Sequence, residues 1–206
     1  MTPKTSTPEP FPASKAWVLD NPLMRAMARG LLRRLPIEPG MRVVDVGCGP
    51  GRLTIPVARM AGEQGEVLAV DLQPAMLAIV ERHAAEEGLG NVRTLVAAAG
   101  GGALPAGRYD LALLSFVLGE IPPDRRRAAI QEVARALRPG AVLAVAEGIF
   151  DPHRQRREDV VALAEPEGLQ LEREHRGLAT TLLLFRSHRP THDGGASTLV
   201  IPTSDC

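Results

Sequence analysis

Between Pro39 and Phe185, short apolar runs of strand length alternate with amphipathic segments of helical length, and this alternation restricts the fold more than any other feature of the chain. Val43–Val46 reads as a buried strand and Arg52–Met60 as a helix. Glu66–Asp71 is a second strand, followed by a helix from Pro74 with Met76, Val80 and Ala84 on one face. Val92–Val96 and Tyr109–Ser115 are the third and fourth strands. Asp124 opens a further helix, and Pro139-Gly140 turns it into a fifth strand, Ala141–Ala146. A last helix near Arg156–Ala164 precedes two runs, Leu169–His175 and Ala179–Phe185, that can pair as a hairpin. Strands that alternate with helices demand a parallel sheet covered on both faces, and the terminal hairpin adds an antiparallel edge. The expectation is an α/β, doubly wound, mostly parallel seven-stranded sheet.

The 206 residues suffice for one domain with a substantial core. Residues 1–12, rich in Pro and Thr, are expected to be disordered, as is the tail 187–206. Residues 13–38 are expected to form a helical cap. There Asn21-Pro22 supplies an N-cap and a first helical residue, and Leu23, Met27, Leu31 and Leu35 recur at helical spacing. Residues 39–186 form the ligand-binding domain. Trp17, the sole tryptophan, lies before the first helix and either caps the core or forms a lid wall.

Basic and acidic residues balance at 24 each, so no global field draws the chain to nucleic acid or an anionic membrane. The arginine runs Arg125–Arg127 and Arg154–Arg157 read as solvated helix faces. The apolar stretch from Leu111 is too short to span a bilayer, and the N-terminus has no apolar signal core, so a cytoplasmic protein is expected. Cys48 and Cys206 alone can build neither a disulfide framework nor a metal cluster.

The first strand runs into VVDVGCGPGRL, Val43–Leu53. In doubly wound sheets ligands bind beyond the carboxyl ends of the strands, so this loop is the expected site. A phosphate-binding Walker loop needs a lysine and a hydroxyl where Arg52 and Leu53 stand, and the dinucleotide fingerprint needs a third glycine at Arg52. Asp45 at the strand end is an unfavourable neighbour for pyrophosphate and a favourable one for an ammonium group. Asp71, ending the second strand, can accept hydrogen bonds from both hydroxyls of a ribose. It can equally cap the helix that starts near Pro74. A ligand-free tight turn is the alternative reading of the glycines, disfavoured by the placement of Asp45 and Asp71, and Cys48 reads as a small loop residue rather than a nucleophile.

VDVGCGPG, AVDLQPAML, YDLALLSFVLGEIPP and LRPGAVLAVAE resemble, in order and spacing, the successive motifs of class I S-adenosylmethionine-dependent methyltransferases, with a Rossmann-like fold. The group nearest in flavour contains the quinone-biosynthesis C-methyltransferases. The resemblance implies S-adenosylmethionine as cofactor, leaving S-adenosylhomocysteine as product. It implies that Gly47, Cys48, Gly49 and Gly51 wrap the methionine part, that Asp45 holds its amino group directly or through water, and that Asp71 binds the ribose. Leu72 and Met76 are then placed on the adenine, with Ser115 and Phe116 at the methionine end. The family often has an aspartate just after the third strand, bonding the adenine amino group; here Ala98 stands there.

Because a methylsulfonium is already a strong electrophile, the protein mainly aligns the acceptor and excludes water. A phenol or alcohol benefits from a base, and Glu120 and His153 are the candidates, although His153 reads equally as a loop histidine in water. Amino-methyltransferases of adenine or glutamine generally carry [D/N]-P-P-[Y/F] where this chain has Ser115-Phe116-Val117-Leu118, so a small-molecule acceptor without nucleic acid is expected. A non-catalytic cofactor-binding regulatory module and a nicotinamide-dependent oxidoreductase are the alternatives.

Overall fold

A computed structural model describes residues 22–149 and 151–188; the expectations for residues 1–12, for Trp17 and for 189–206 lie outside the described residues. In chain order the elements are α1 (Pro22–Leu32), β1 (Arg42–Val46), α2 (Thr54–Ala61), β2 (Glu66–Asp71), α3 (Pro74–Glu86), β3 (Val92–Val96), β4 (Tyr109–Ser115), α4 (Pro123–Ala136), β5 (Leu137–Gly148), α5 (Arg157–Ala164), β6 (Leu169–Arg176) and β7 (Thr180–Ser187). The strands form one seven-stranded sheet in the order β3-β2-β1-β4-β5-β7-β6. The first five are parallel, and β7 pairs antiparallel with both β5 and β6. The expected architecture is therefore the observed one.

Alternation along the strands sorts the core into two layers. Val44 and Val46 of β1 join Leu114, Ile130, Val133 and Phe185 on the face covered by α4 and α5. Val43 points the other way, with Leu31, Val57, Leu111 and Leu184, toward α1 and α2. The period of two puts Asp45 on the same side as Val43, and so toward the start of α2.

Three boundaries differ from expectation. The helix after the glycine loop starts at Thr54 rather than Arg52, because Gly47, Gly49 and Gly51 hold positive φ and keep the chain out of helical geometry until the turn at Arg52-Leu53. Pro139-Gly140 lies inside β5, within an irregularity of the β4–β5 pairing that absorbs the extra residues. The hairpin also reaches further, since Ser187 is buried at the end of β7 opposite Leu169. Ser187 and His188, both assigned to the tail, thus lie within the described residues, and the His188 N–H donates to the Gly168 carbonyl at 2.9 Å.

Candidate active site

Strand β1 has β2 on one side and β4 on the other, so the segments leaving their carboxyl ends diverge. A cavity of about 600 Å³ opens there. Its walls come from the segments after β1, β2, β3 and β4, and α1 contributes Met24, Ala28 and Leu31.

The glycine loop is built by close approach. The N–H groups of Gly47 and Cys48 both donate to the Val70 carbonyl, at 2.8 and 3.0 Å, which folds the loop back over β2. Gly47 has φ +70, and a Cβ there would lie 2.2 Å from Val117 Cγ2 on the segment after β4. Gly49 has φ +53, but a Cβ there would meet nothing within 4 Å. The first glycine closes the protein against itself, whereas the second leaves bare backbone beside the cavity. We therefore expect Gly47→Ala to cost about 2–4 kcal/mol, from strained φ plus overpacking. Urea unfolding checks this; a midpoint equal to the parent's would show that the contact with Val117 relaxes freely.

The two aspartates are held differently. Asp45 is 2% exposed, and its Oδ2 accepts the Thr54 hydroxyl at 2.6 Å. Burial pushes its carboxyl up to about 6, with the Thr54 hydrogen bond opposing and the charge of Asp71 adding to the rise. Asp71 Oδ2 accepts the Gly49 N–H and Oδ1 the Gln73 N–H, both at 2.9 Å. Its carboxylate ties the loop after β1 to the N-cap residue of α3, and each oxygen retains a further lone pair for a ligand. Asp71 does not cap α3: the N-cap residue is Gln73, which makes no side-chain cap, and the Gln73 N–H that Asp71 accepts lies outside the helix.

Leu72 beside Asp71 is 54% exposed, whereas Met76, which lines the same cavity, is buried. Ala97, Ala98 and Ala99, just after β3, line the same cavity. Ser115 and Phe116 line the cavity where β4 ends, and Phe116 has φ +58, a conformation that an aromatic residue adopts only under constraint. Its N–H is fixed to the Ala146 carbonyl at 2.8 Å. Cys48 also lines the cavity, but burial and two nearby carboxylates push its thiol far above the usual range, which leaves it inert.

Glu120 lines the cavity; His153 does not. His153 is exposed, with its N–H donated to Asp151 Oδ1 at 2.8 Å in a turn after β5. Sequence reasoning missed Thr54 and read Arg125 only as part of a solvated helix face, although it lines the cavity. Thr54 had a signal, a hydroxyl in the first turn after the loop; Arg125 enters the wall only through the folding of a separate segment.

In fold this sheet is similar to those of solved S-adenosylmethionine-dependent methyltransferases. Residues 43–140 match the methyltransferase domain family. It is 36% identical over 115 residues to nocamycin O-methyltransferase of Saccharothrix syringae, covering 56% of this chain and 40% of that protein. It is 33% identical over 131 residues to the ubiquinone/menaquinone biosynthesis C-methyltransferase UbiE of Azotobacter vinelandii, covering 63% and 51%. The chain thus spans about half the length of the curated relatives it matches. In fold it is similar to a SAM-dependent methyltransferase from Aquifex aeolicus, with a TM-score of 0.77 and 24% identity over 85% of this chain and 98% of that one. Among the described residues no helix is long and apolar enough to cross a membrane.

Proposed function

We propose that this chain is an enzyme that transfers a methyl group from S-adenosylmethionine to a small apolar acceptor. The observation that carries the reading is the pairing of Asp45 and Asp71 around a glycine backbone left bare at Gly49, in one cavity. When bound, S-adenosylmethionine supplies a methyl group activated by its sulfonium.

The residues divide the work by position. Asp71 accepts the ribose hydroxyls on the lone pairs its two backbone partners leave, and Leu72 covers the nucleoside. Asp45, oriented by Thr54, holds the ammonium of the methionine part, alongside the backbone of Gly47 to Pro50; Gly51, packed against Val80, does not line the cavity. An ammonium favours the ionised form of a carboxyl that titrates near 6, so affinity is present above that pH and declines below it. Phe116 and Ser115 border the reacting end. Met24, Ala28, Leu31, Val117 and Ile121 offer the acceptor an apolar wall that excludes water. For a hydroxyl acceptor Glu120 is the base; a carbon or amine acceptor needs none. His153 has no part in this scheme. A cytoplasmic enzyme acting without nucleic acid fits the balanced charge.

Titration calorimetry against S-adenosylmethionine, S-adenosylhomocysteine and NAD tests the reading. Micromolar binding of the first two and none of NAD is expected, and a preference for NAD would replace methyl transfer with oxidoreduction. Binding without methylation of any quinone, phenol or amine tried would favour a regulatory module instead.

A further inference from the structure

Glu132 lies on α4, does not line the cavity, and has no part in the scheme above. It is only 7% exposed. Its two oxygens accept backbone N–H groups from one segment: Gly100 to Oε2 at 2.6 Å, and Leu104 to Oε1 at 2.9 Å. That segment begins with Ala97, Ala98 and Ala99, which line the cavity together with Leu72. Arg135, one turn along α4, donates to the Leu104 carbonyl at 3.3 Å.

The approach of segment and helix is close enough to dictate a residue. Gly100 has φ +82, and a Cβ there would lie 2.8 Å from the Ala129 nitrogen of α4. At its other end the segment is fixed by the Ala97 N–H, which donates to the Asp71 carbonyl at 3.1 Å. Between these anchors the N–H groups of Ala98 and Ala99 make no backbone hydrogen bond among the described residues. Hydrogen bonds from backbone N–H to an ionised carboxylate are roughly twice as strong as neutral ones, and losing the acceptor strands two donors where water is scarce. An ionisable side chain is thus committed, inside the protein, to holding one loop.

We propose that Glu132 is a positioning residue for the nucleoside end of the cofactor site. It acts through residues 97–104, holding the Ala98 and Ala99 backbone where it meets the edge of the adenine, at the position where no carboxylate projects from residue 98. The inference rests on the methyl-transfer reading and adds to it the means by which the base is selected.

The test is Glu132→Gln, which keeps the shape but turns an amide N–H₂ toward one of the two backbone donors. At a temperature where the variant is folded by circular dichroism, its Kd for S-adenosylhomocysteine rises about tenfold, the equivalent of one lost hydrogen bond. The parent's preference for S-adenosylhomocysteine over S-inosylhomocysteine shrinks with it, which general loosening of the protein would not cause. Gly100→Ala displaces the same loop without touching Glu132 and gives the same two changes. Faster amide exchange at Gly100 and Leu104 accompanies the loss in Glu132→Gln. Unchanged affinity in both variants overturns the proposal, as does an equal loss for both ligands. A parent that fails to bind S-adenosylhomocysteine overturns the methyl-transfer reading and this inference together, whereas a parent that binds no better than its variants overturns this inference alone.

Discussion

Asp71→Ala weakens binding of S-adenosylhomocysteine by about 100-fold, as two lost charge-assisted hydrogen bonds of roughly 1.5 kcal/mol each require. The same carboxylate also ties Gly49 to Gln73, so the variant loses some stability as well. The two contributions separate experimentally. If Asp71 serves only as a clamp on the loop, thermal unfolding shifts downward while calorimetry well below the midpoint returns the parent's Kd. If it binds ribose, the affinity loss persists in protein that is fully folded. An unchanged Kd in folded Asp71→Ala therefore removes the ribose role, and with it the observation on which the proposed function leans most.

Glu147→Gln is expected to produce the largest gain in stability. Glu147 sits near the carboxyl end of β5, is 5% exposed, and has no hydrogen bond of normal geometry to either carboxylate oxygen. Burial pushes its carboxyl from 4.5 up to about 7; the nearby Gln155 N–H and Arg126 oppose the rise, and Asp151 adds to it. The folded protein therefore holds this proton more tightly than the unfolded chain does. Its contribution to stability is fully present below about pH 4.5 and is lost as pH rises through about 7. At pH 8 the glutamine variant is accordingly more stable than the parent by up to about 3 kcal/mol, a ceiling that local relaxation and water entry lower. At pH 4.5 the two differ little. Asp45, whose carboxyl is raised in the same sense to about 6, leaves a residual slope in the variant. Urea unfolding of parent and variant at pH 5 and pH 8 decides it, and parallel curves at both would mean that water already solvates Glu147.

Arg126 stands close to this carboxylate yet donates elsewhere, to the carbonyls of Ile121 and Gly119 at 2.9 and 3.2 Å and to the Gln155 side chain at 2.8 Å. Those bonds brace the segment that carries Glu120 into the cavity wall. A side chain placed on a segment after a strand, rather than on the strand itself, depends on such bracing for its position. The unpaired state of Glu147 is thus the other side of an arrangement that steadies Glu120 in the cavity wall.

The amino-acid sequence by itself determined the order of the elements, the parallel sheet with its antiparallel edge, and the loop at which a ligand belongs. These follow from short-range physics: a period of two or 3.6 in apolar residues, and glycines where the backbone must hold positive φ. It also placed Asp45 and Asp71 at the ends of neighbouring strands, since strand length alone brings β1 and β2 to a common edge. Tertiary structure decided what those residues touch. Thr54 reaches Asp45 because α2 starts two residues later than its apolar pattern suggests. Glu120 faces the cavity and His153 does not because the segments after β4 and β5 fold differently, although both leave the same edge of the sheet. Glu132 could not be read from its neighbours at all. In sequence it is one acidic position on a charged helix, and only the packing of α4 against residues 100–104, some thirty positions earlier, turns it into a buried acceptor for two backbone N–H groups. Period and propensity are local quantities, whereas the desolvation that gives a carboxylate its role depends on every segment that closes around it.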